Sequence, residues 1–239
     1  MLKITYLFHS GFTIETANDF VVFDYFKDNC SKQKMKDCGQ LCAKSFPLDK
    51  KVTFFVTHCH YDHYDKEIFK LVDNAHYVIS NDVKVNSSED IKTCGPYEEF
   101  DFNGLHIKTF GSTDAGLSFL VKLDGKNVFH AGDLNWWHWE GETPEERAYA
   151  KDFFFKEMAK LQGEKIDLAM FPVDPRLESA YYYGGEQFIE MMKPKYFWPM
   201  HFQDCFTVTT RFKKYMEQKG TSTQIFTMDK RGEVFEIVD

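Results

Sequence analysis

The chain lacks the features that would place it in a membrane or divide it into several domains. No apolar run in its 239 residues reaches the roughly 20 residues that a membrane-spanning helix needs. Residues 1–8 form a short strand pattern and lack the longer apolar stretch of a signal peptide. Internal repeats, low-complexity tracts and linkers rich in Pro, Gly or Ser are also absent. We therefore expect a cytoplasmic protein with one domain over residues 1–239.

An excess of positive charge is missing too. The formal net charge is -8 and the pI is near 5.6, and no local basic patch stands out that could attract a polyanion. With 43% hydrophobic and 17% aromatic residues, the chain can build a substantial core. We expect a small-molecule substrate and no nucleic-acid or membrane partner, while the sequence leaves a homo-oligomer open.

Paired cysteine motifs are absent as well. Three of the six cysteines, Cys30, Cys38 and Cys42, lie close together in the sequence, but they contain no CxxC pair and have no fourth partner nearby. A further metal or redox site there is therefore disfavoured. Because the chain shows no sign of export, we expect its cysteines to be free thiols.

Strand and helix patterns alternate along the chain, which favours an α/β fold. The turn signal Asp124-Gly125-Lys126 suits a β-hairpin. Strands are expected at 3–8, 12–15, 20–26, 52–57, 77–80, 105–109, 118–123, 127–131, 168–171, 196–199, 223–226 and 234–237. Helices are expected at 65–72, 145–161, 185–192 and 209–219.

A short run of metal-ligand residues directly follows the strand pattern at 52–57. It contains the candidate ligands His58, His60, Asp62 and His63. Imidazole nitrogens and a carboxylate oxygen suit Zn²⁺ and are acceptable to Fe or Mn. The alternative interpretation is a polar surface loop. We interpret the run as part of a metal site.

Other polar residues also stand just after predicted strands. Asp133, Asp174 and His201 each follow an apolar run. Because the ends of adjacent strands can converge on one rim of a sheet, the spacing predicts one pocket.

These residues resemble those of a known family. The run from Thr57 to His63 is similar to the HxHxDH signature of the metallo-β-lactamase-fold hydrolases. Asp133 stands in a Gly-Asp turn like the one that carries the family's metal-bridging aspartate, and His201 ends a strand like the one that supplies its last histidine. Asp24 resembles the family's aspartate that supports the metal ligands from behind.

The resemblance covers residues 1 to about 205 and is closest to the cytoplasmic branch that includes the ascorbate-6-phosphate lactonases. It implies a four-layer αβ/βα sandwich, in which two β-sheets pack together with helices on both outer faces. It also implies two metal pockets that share Asp133 as a bridge. The first pocket contains His58, His60 and Asp133, and the second contains Asp62, His63, Asp133 and His201.

One histidine of the family pattern is missing. Where the family has a Gly-His-Thr-Pro-Gly-like turn, this chain has Gly111-Ser112-Thr113-Asp114-Ala115-Gly116. Asp114 could replace the histidine as an oxygen ligand, or it could orient a bound ligand. We expect two divalent ions of unequal affinity, with Zn²⁺ as the first choice and Fe or Mn as alternatives. A single ion is the other interpretation.

The expected chemistry is attack by a metal-bound hydroxide. A divalent ion lowers the pKa of its bound water to roughly 7, and a second ion can polarise the substrate. Asp133 or Asp62 could take a proton from the attacking water, so both are candidate catalytic residues.

Four further residues are candidate substrate contacts. His9 could point at the site, and Arg176 would suit a carboxylate or phosphate. Trp136 belongs to an aromatic segment, 136–139, that could line the pocket, and Tyr182 could be part of a lid. For each of them, ordinary packing or a surface position is the competing interpretation.

Three functions fit this pattern. The leading hypothesis is a zinc-type hydrolase of a small ester, lactone, thioester or phosphoester. The second is a redox protein, since di-iron members of the fold use a similar cluster, although they typically have Glu where His60 stands and carry an added flavin domain. The third is a metal-binding protein without catalysis, which the missing histidine would allow.

Overall fold

The computed structural model describes residues 1–28 and 38–238. The first sheet contains β1 (Leu2–Phe8), β2 (Gly11–Glu15), β3 (Asp19–Phe23), β4 (Lys51–Val56), β5 (His76–Ser80), β6 (Ile91–Cys94) and β14 (Glu233–Ile237). The second contains β7 (Glu99–Phe102), β8 (Leu105–Gly111), β9 (Leu117–Leu123), β10 (Lys126–His130), β11 (Leu168–Pro172), β12 (Tyr196–Met200) and β13 (Gln224–Ile225). The helices are α1 (Pro144–Lys160), α2 (Tyr183–Met192) and α3 (Thr207–Gln218). Short 3-10 helices lie at Ala43–Ser45, Lys66–Lys70 and Pro175–Ala180.

Both sheets have the same mixed organisation. Their strand orders are β14-β1-β2-β3-β4-β5-β6 and β13-β12-β11-β10-β9-β8-β7. The strands from β3 to β6 and from β10 to β13 are parallel, and the others are antiparallel. Parallel neighbours need long crossover connections, which α1, α2 and α3 provide in the second sheet. The carboxyl ends of β4, β10, β11 and β12 are consequently free to carry side chains at one rim.

The inner faces of the two sheets pack through aromatic rings. Phe55 stacks on Phe23 at 4.9 Å between ring centroids and meets Phe119 of the opposite sheet at 5.2 Å. On the outer face of the second sheet, Phe171 contacts Phe188 of α2 at 4.6 Å. Burial of these large rings contributes much of the folding free energy.

The outer face of the first sheet is covered differently. In residues 1–28 and 38–238, its cover consists of the 3-10 helix Lys66–Lys70 and loop residues such as Leu41 and Phe46, not of α-helices. The α/β sandwich with two packed sheets is confirmed, but the expected α-helices on both outer faces occur only on the second sheet in this part of the chain. The helix predicted at 65–72 is the short 3-10 helix.

Most predicted strands are confirmed to within a few residues. The hairpin loop Asp124-Gly125 has positive φ at both positions, +48° and +75°, as a tight turn between β9 and β10 requires. The strands β6 and β7 were not predicted, because both are short and only partly buried. The strand predicted at 20–26 ends at Phe23, since Asp24 has a φ of +43°.

The cysteine prediction is wrong in one respect. Cys38 is disulfide-bonded, whereas Cys42, Cys59, Cys94 and Cys205 are free. Cys30 lies outside the described residues. Pairing depends on the distance between Cα atoms, which sequence spacing does not reveal.

Among the described helices, none has the length and apolar character that crossing a membrane would require.

Candidate metal centre

The ligand run leaves the first sheet at the carboxyl end of β4 and folds into a tight turn. The backbone N–H of His63 donates to the carbonyl of His60 at 3.1 Å. This turn places the ring of His58 4.1 Å from that of His63 and 4.6 Å from that of His60. His58 and His63 are fully buried, while His60 is half exposed. The predicted histidines therefore share one space.

Asp133 reaches the same space from the end of β10. The preceding Gly132 has a φ of +54°, and a Cβ there would lie 2.8 Å from the carbonyl of Leu117 and 2.9 Å from Cβ of Thr57. Only glycine fits this close approach between the two sheets. The carboxylate of Asp133 then lies 3.4 Å from Nε2 of His58. The structure thus brings Asp133 to the ligand turn.

His201 completes the rim from the end of β12. Its Nε2 lies 3.2 Å from the Asp133 carboxylate, the same distance as Nε2 of His63. Its Nδ1 lies 2.9 Å from Asp174, which follows β11 and also binds Arg176. A carboxylate behind the ring fixes which nitrogen faces the centre. The sequence placed Asp174 near the pocket but not in this role.

His9 points at the site and joins the cluster of candidate ligands, while its predicted role as a substrate contact stays a prediction. It lies in the turn after β1 with a φ of +56°, and its carbonyl accepts a hydrogen bond from the N–H of His201 at 3.0 Å. Its ring centroid is 4.0 Å from that of His201, and its Nε2 is 3.4 Å from Asp62. The sequence does not reveal these contacts of His9 with His201 and Asp62, because His9 is far along the chain from both residues.

Within residues 1–28 and 38–238 the candidate ligand atoms form two groups, and within each group all atoms lie within 4.8 Å of one another. The first group contains His58, His60 and Asp133. The second contains His9, Asp62, His63 and His201. Asp133 lies close to two histidines of the second group, so it stands between the groups.

Several of these atoms are buried without a hydrogen-bond partner. They include Nε2 of His58 and His63, both ring nitrogens of His9, and Oδ1 of Asp133. Leaving such atoms unpaired costs about 1–3 kcal/mol each. A cation between them would satisfy these lone pairs, and a set of imidazole nitrogens and carboxylate oxygens suits Zn²⁺, Fe or Mn. The residues present therefore fit a bound metal.

Asp24 supports the ligand run from below, as the resemblance implied. It is fully buried and accepts hydrogen bonds from the N–H of Thr57 at 2.8 Å and from its hydroxyl at 2.7 Å. It also lies 2.7 Å from Nδ1 of His63. Burial alone would lower the pKa of His63, but the charges of Asp133 and Asp24 outweigh it and raise the pKa to about 10.

Asp114 lies at the edge of the centre. Its carboxylate is 3.8 Å from Nδ1 of the half-exposed His60, and the side chain is itself half exposed. It is not part of either ligand group. Its two predicted roles, as ligand or as orienting residue, both stay predictions.

A cavity of about 880 Å³ opens onto the metal centre. Of the predicted substrate contacts, Arg176 lines it, but Trp136 and Tyr182 do not. Trp136 instead packs on Phe154 and Phe155 of α1, and Tyr182 packs on Tyr215 of α3, so both belong to the packing around the helices. Two neighbours of Trp136 take its expected place in the wall, Trp137 and Trp139.

The fold and this ligand set define a class of protein, the metal-dependent hydrolases with the metallo-β-lactamase fold. The chain belongs to the beta-lactamase superfamily, because the family model described as Beta-lactamase superfamily domain matches residues 3–137.

Relatives extend the similarity over the whole chain. A UPF0173 metal-dependent hydrolase of Pyrococcus abyssi is 24% identical over 256 residues, which cover 99% of this chain and 100% of the relative. YtkL of Bacillus subtilis, also named a UPF0173 metal-dependent hydrolase, is 27% identical over 195 residues, or 72% of this chain and 73% of the relative. Among solved structures, Igni18, a metallo hydrolase from Ignicoccus hospitalis, superposes with a TM-score of 0.64 at 20% identity over 99% of both chains. That structural likeness supports the fold.

The position of His9 leads to a prediction for metal binding. His9→Ala should weaken metal binding by at least roughly tenfold, because it removes one of the four side chains of the second group. Titration of the metal-free variant with metal, monitored by calorimetry, measures the affinity and the stoichiometry of binding. An unchanged affinity and stoichiometry would show that His9 only packs against His201.

Proposed function

We propose that this protein hydrolyses a small ester, lactone, thioester or phosphoester with the help of one or two zinc ions. The observation that carries the proposal is the set of buried, unpartnered nitrogen and oxygen atoms that face one another at the end of an open cavity. Lactone hydrolysis of the kind performed by ascorbate-6-phosphate lactonases is one candidate reaction.

A bound divalent metal ion would supply a Lewis acid that brings the pKa of water to roughly 7 and polarises the group under attack. His58, His60 and Asp133 would hold one ion, and His9, Asp62, His63 and His201 would hold a second, with Asp133 between them. This arrangement needs no strongly basic side chain to activate water.

The protein's own residues would orient the reactants. Burial raises the pKa of Asp62, but the close contact with His9 and the charge of His63 outweigh it and lower the pKa. Asp62 is consequently ionised. Its side chain is also partly exposed to the cavity, where the carboxylate can accept a hydrogen bond from the attacking water. Arg176 lies beside the centre with its Nε and one Nη bound to Asp174. We propose that it contacts the polarised group of the substrate.

Two measurements on the purified protein test this proposal. Metal analysis should find zinc, and a screen of lactone, thioester and phosphodiester substrates should find turnover that a chelator removes. Iron with an electron-transfer signature would favour a redox protein instead. Bound metal without turnover of any of these substrates would favour a metal-binding protein.

The role of His60 gives a sharper prediction. His60→Ala should lower the metal content of the first group and reduce turnover by at least roughly 100-fold, while the fold stays intact because His60 is half exposed. Metal content, turnover and circular dichroism should be measured together. His106→Ala is a matched control, since His106 is also half exposed and pairs with carboxylates outside the cavity. Unchanged activity in His60→Ala would refute its assignment as a ligand.

A further inference from the structure

The cavity continues beyond the metal centre along one side of α1. Five residues of this helix line it, the acidic Glu145 and Glu146 and the apolar Tyr149, Ala150 and Phe153. They do not belong to the helix face that packs on the second sheet, where Phe154 and Met158 are fully buried. The helix therefore has a second apolar face, which packing against its own sheet does not explain.

At its other end, the lining of the cavity begins beside the candidate metal ligand His201. The ring of Trp137 lies 5.3 Å from that of His201, and its Nε1–H donates to the carbonyl of Asp133 at 3.0 Å. Trp139 lies parallel to Trp137, with centroids 5.9 Å apart and an angle of 5° between the planes. Two stacked indoles thus extend from the metal centre into the cavity, whose lining also includes Tyr149 and Phe153.

The segment that carries these indoles is held in place. The carboxylate of Glu140 accepts a hydrogen bond from the hydroxyl of Ser179 at 2.8 Å, and the Glu140 carbonyl accepts one from Arg147 of α1. The guanidinium of Arg176 lies over the Trp139 ring at 5.7 Å. A preformed apolar wall loses little entropy on binding, which favours recognition of an apolar group.

The charge of the cavity restricts what this wall can bind. Glu142, Glu145 and Glu146 line the same region as the aromatic residues. Among the described residues that line this cavity, Arg176 is the one lysine or arginine, and its charge is already paired with Asp174. An anionic group far from the metal ions would meet three carboxylates and, in the described part of the lining, no unpaired lysine or arginine, so it would be repelled.

We infer that residues Trp137, Trp139, Tyr149, Ala150 and Phe153 form a specificity subsite for a bulky apolar part of the substrate that carries no negative charge. This inference rests on the proposed function, since it places the scissile bond at the metal centre. The substrate class becomes an ester, thioester or lactone with a large aryl or alkyl group. A negative charge on that part of the molecule is excluded, so a lactone with a phosphate there is disfavoured among the candidate substrates named above.

The test measures binding separately from turnover. Three alcohols serve as ligands of the zinc-loaded protein: n-butanol, phenylbutanol, and carboxyphenylbutanol with its carboxylate on the ring. Calorimetry should show that the phenyl ring improves affinity by roughly tenfold, because its surface leaves water. The ring carboxylate should remove most of this gain.

Three variants locate the effect. The double variant Tyr149→Ala, Phe153→Ala should lose most of the preference for phenylbutanol over n-butanol. Leu48→Ala, which removes a fully exposed apolar side chain outside the cavity, should keep it. Glu145→Gln should reduce the discrimination against carboxyphenylbutanol.

The outcomes distinguish failure of the proposed subsite from failure of the proposed hydrolase activity. Equal affinities for n-butanol and phenylbutanol, or a preference that survives in the double variant, would overturn the subsite even if the protein hydrolyses small esters. A preference for phenylbutanol that disappears in the double variant supports the subsite. The same preference in a protein with no hydrolytic activity would support apolar recognition at this wall but overturn the proposed reaction.

Discussion

Asp133→Asn should remove metal binding at both ligand groups and lower turnover by roughly two to three orders of magnitude. One carboxylate faces three imidazoles, at 3.4 Å from His58 and 3.2 Å from both His63 and His201. An amide has the same shape but no charge, and one of its two oxygen positions becomes a donor that meets the nitrogens of the ligand histidines. The loss should therefore reach both groups together.

Metal titration with two resolvable binding steps measures this effect. Asp114→Asn is the matched control, because Asp114 is half exposed, lies near only one ligand histidine and belongs to neither group. It should change at most the weaker step. If Asp133→Asn abolished one step and left the other intact, Asp133 would be a ligand of a single ion and not a bridge.

The fold could be predicted from sequence because its strands follow one another with clear apolar patterns. The buried strands β4, β11 and β12 are nearly continuous apolar runs, as expected for parallel strands covered on both faces. By contrast, β7 alternates exposed and half-buried residues over only four positions, and its pairing with β8 is decided by tertiary contacts. The apolar pattern at Lys66–Lys70 spans barely more than one turn, so it does not distinguish an α-helix from the 3-10 helix that forms there.

The site could be predicted where its residues share a local motif or directly follow a strand. His58, His60 and His63 satisfy the first condition, and Asp133 and His201 satisfy the second. His9 was weighed as a residue near the site, but its place among the ligands depends on a left-handed turn and on the contact between His9 and His201, which only the folded chain provides. A run of aromatic residues does not show which side each one faces, so the sequence cannot distinguish Trp136 from Trp137 as the residue that lines the cavity.

Asp24→Asn should weaken metal binding by about 10–100-fold although Asp24 lies in neither ligand group. Its carboxylate accepts from the N–H and hydroxyl of Thr57 and lies 2.7 Å from Nδ1 of His63. An asparagine must turn its NH₂ either toward Thr57, where a donor would face a donor, or toward His63. In the second case Nδ1 becomes an acceptor, the ring proton moves to Nε2, and the lone pair that faces the centre is lost.

The same substitution should change the stability of the metal-free protein. In the native chain, the pKa of His63 is raised from 6.5 to about 10. The group therefore stabilises the folded state fully below pH 6.5, and this contribution is lost as the pH rises through about 10. Without the charge of Asp24, the pKa of His63 should fall and the loss of stability between neutral and alkaline pH should become smaller. The unpaired buried donor should also cost about 1–3 kcal/mol at neutral pH.

Urea unfolding of the metal-free protein at neutral and alkaline pH, together with a zinc titration, separates these two effects. Asp90→Asn is the control, because Asp90 is exposed and its contact with His76, at 3.6 Å, lies on the surface. It should change neither zinc affinity nor the pH dependence of unfolding. A loss of stability in Asp24→Asn with unchanged zinc affinity would mean that Asp24 anchors Thr57 but does not orient His63. Loss of both is expected, since one carboxylate makes both sets of contacts.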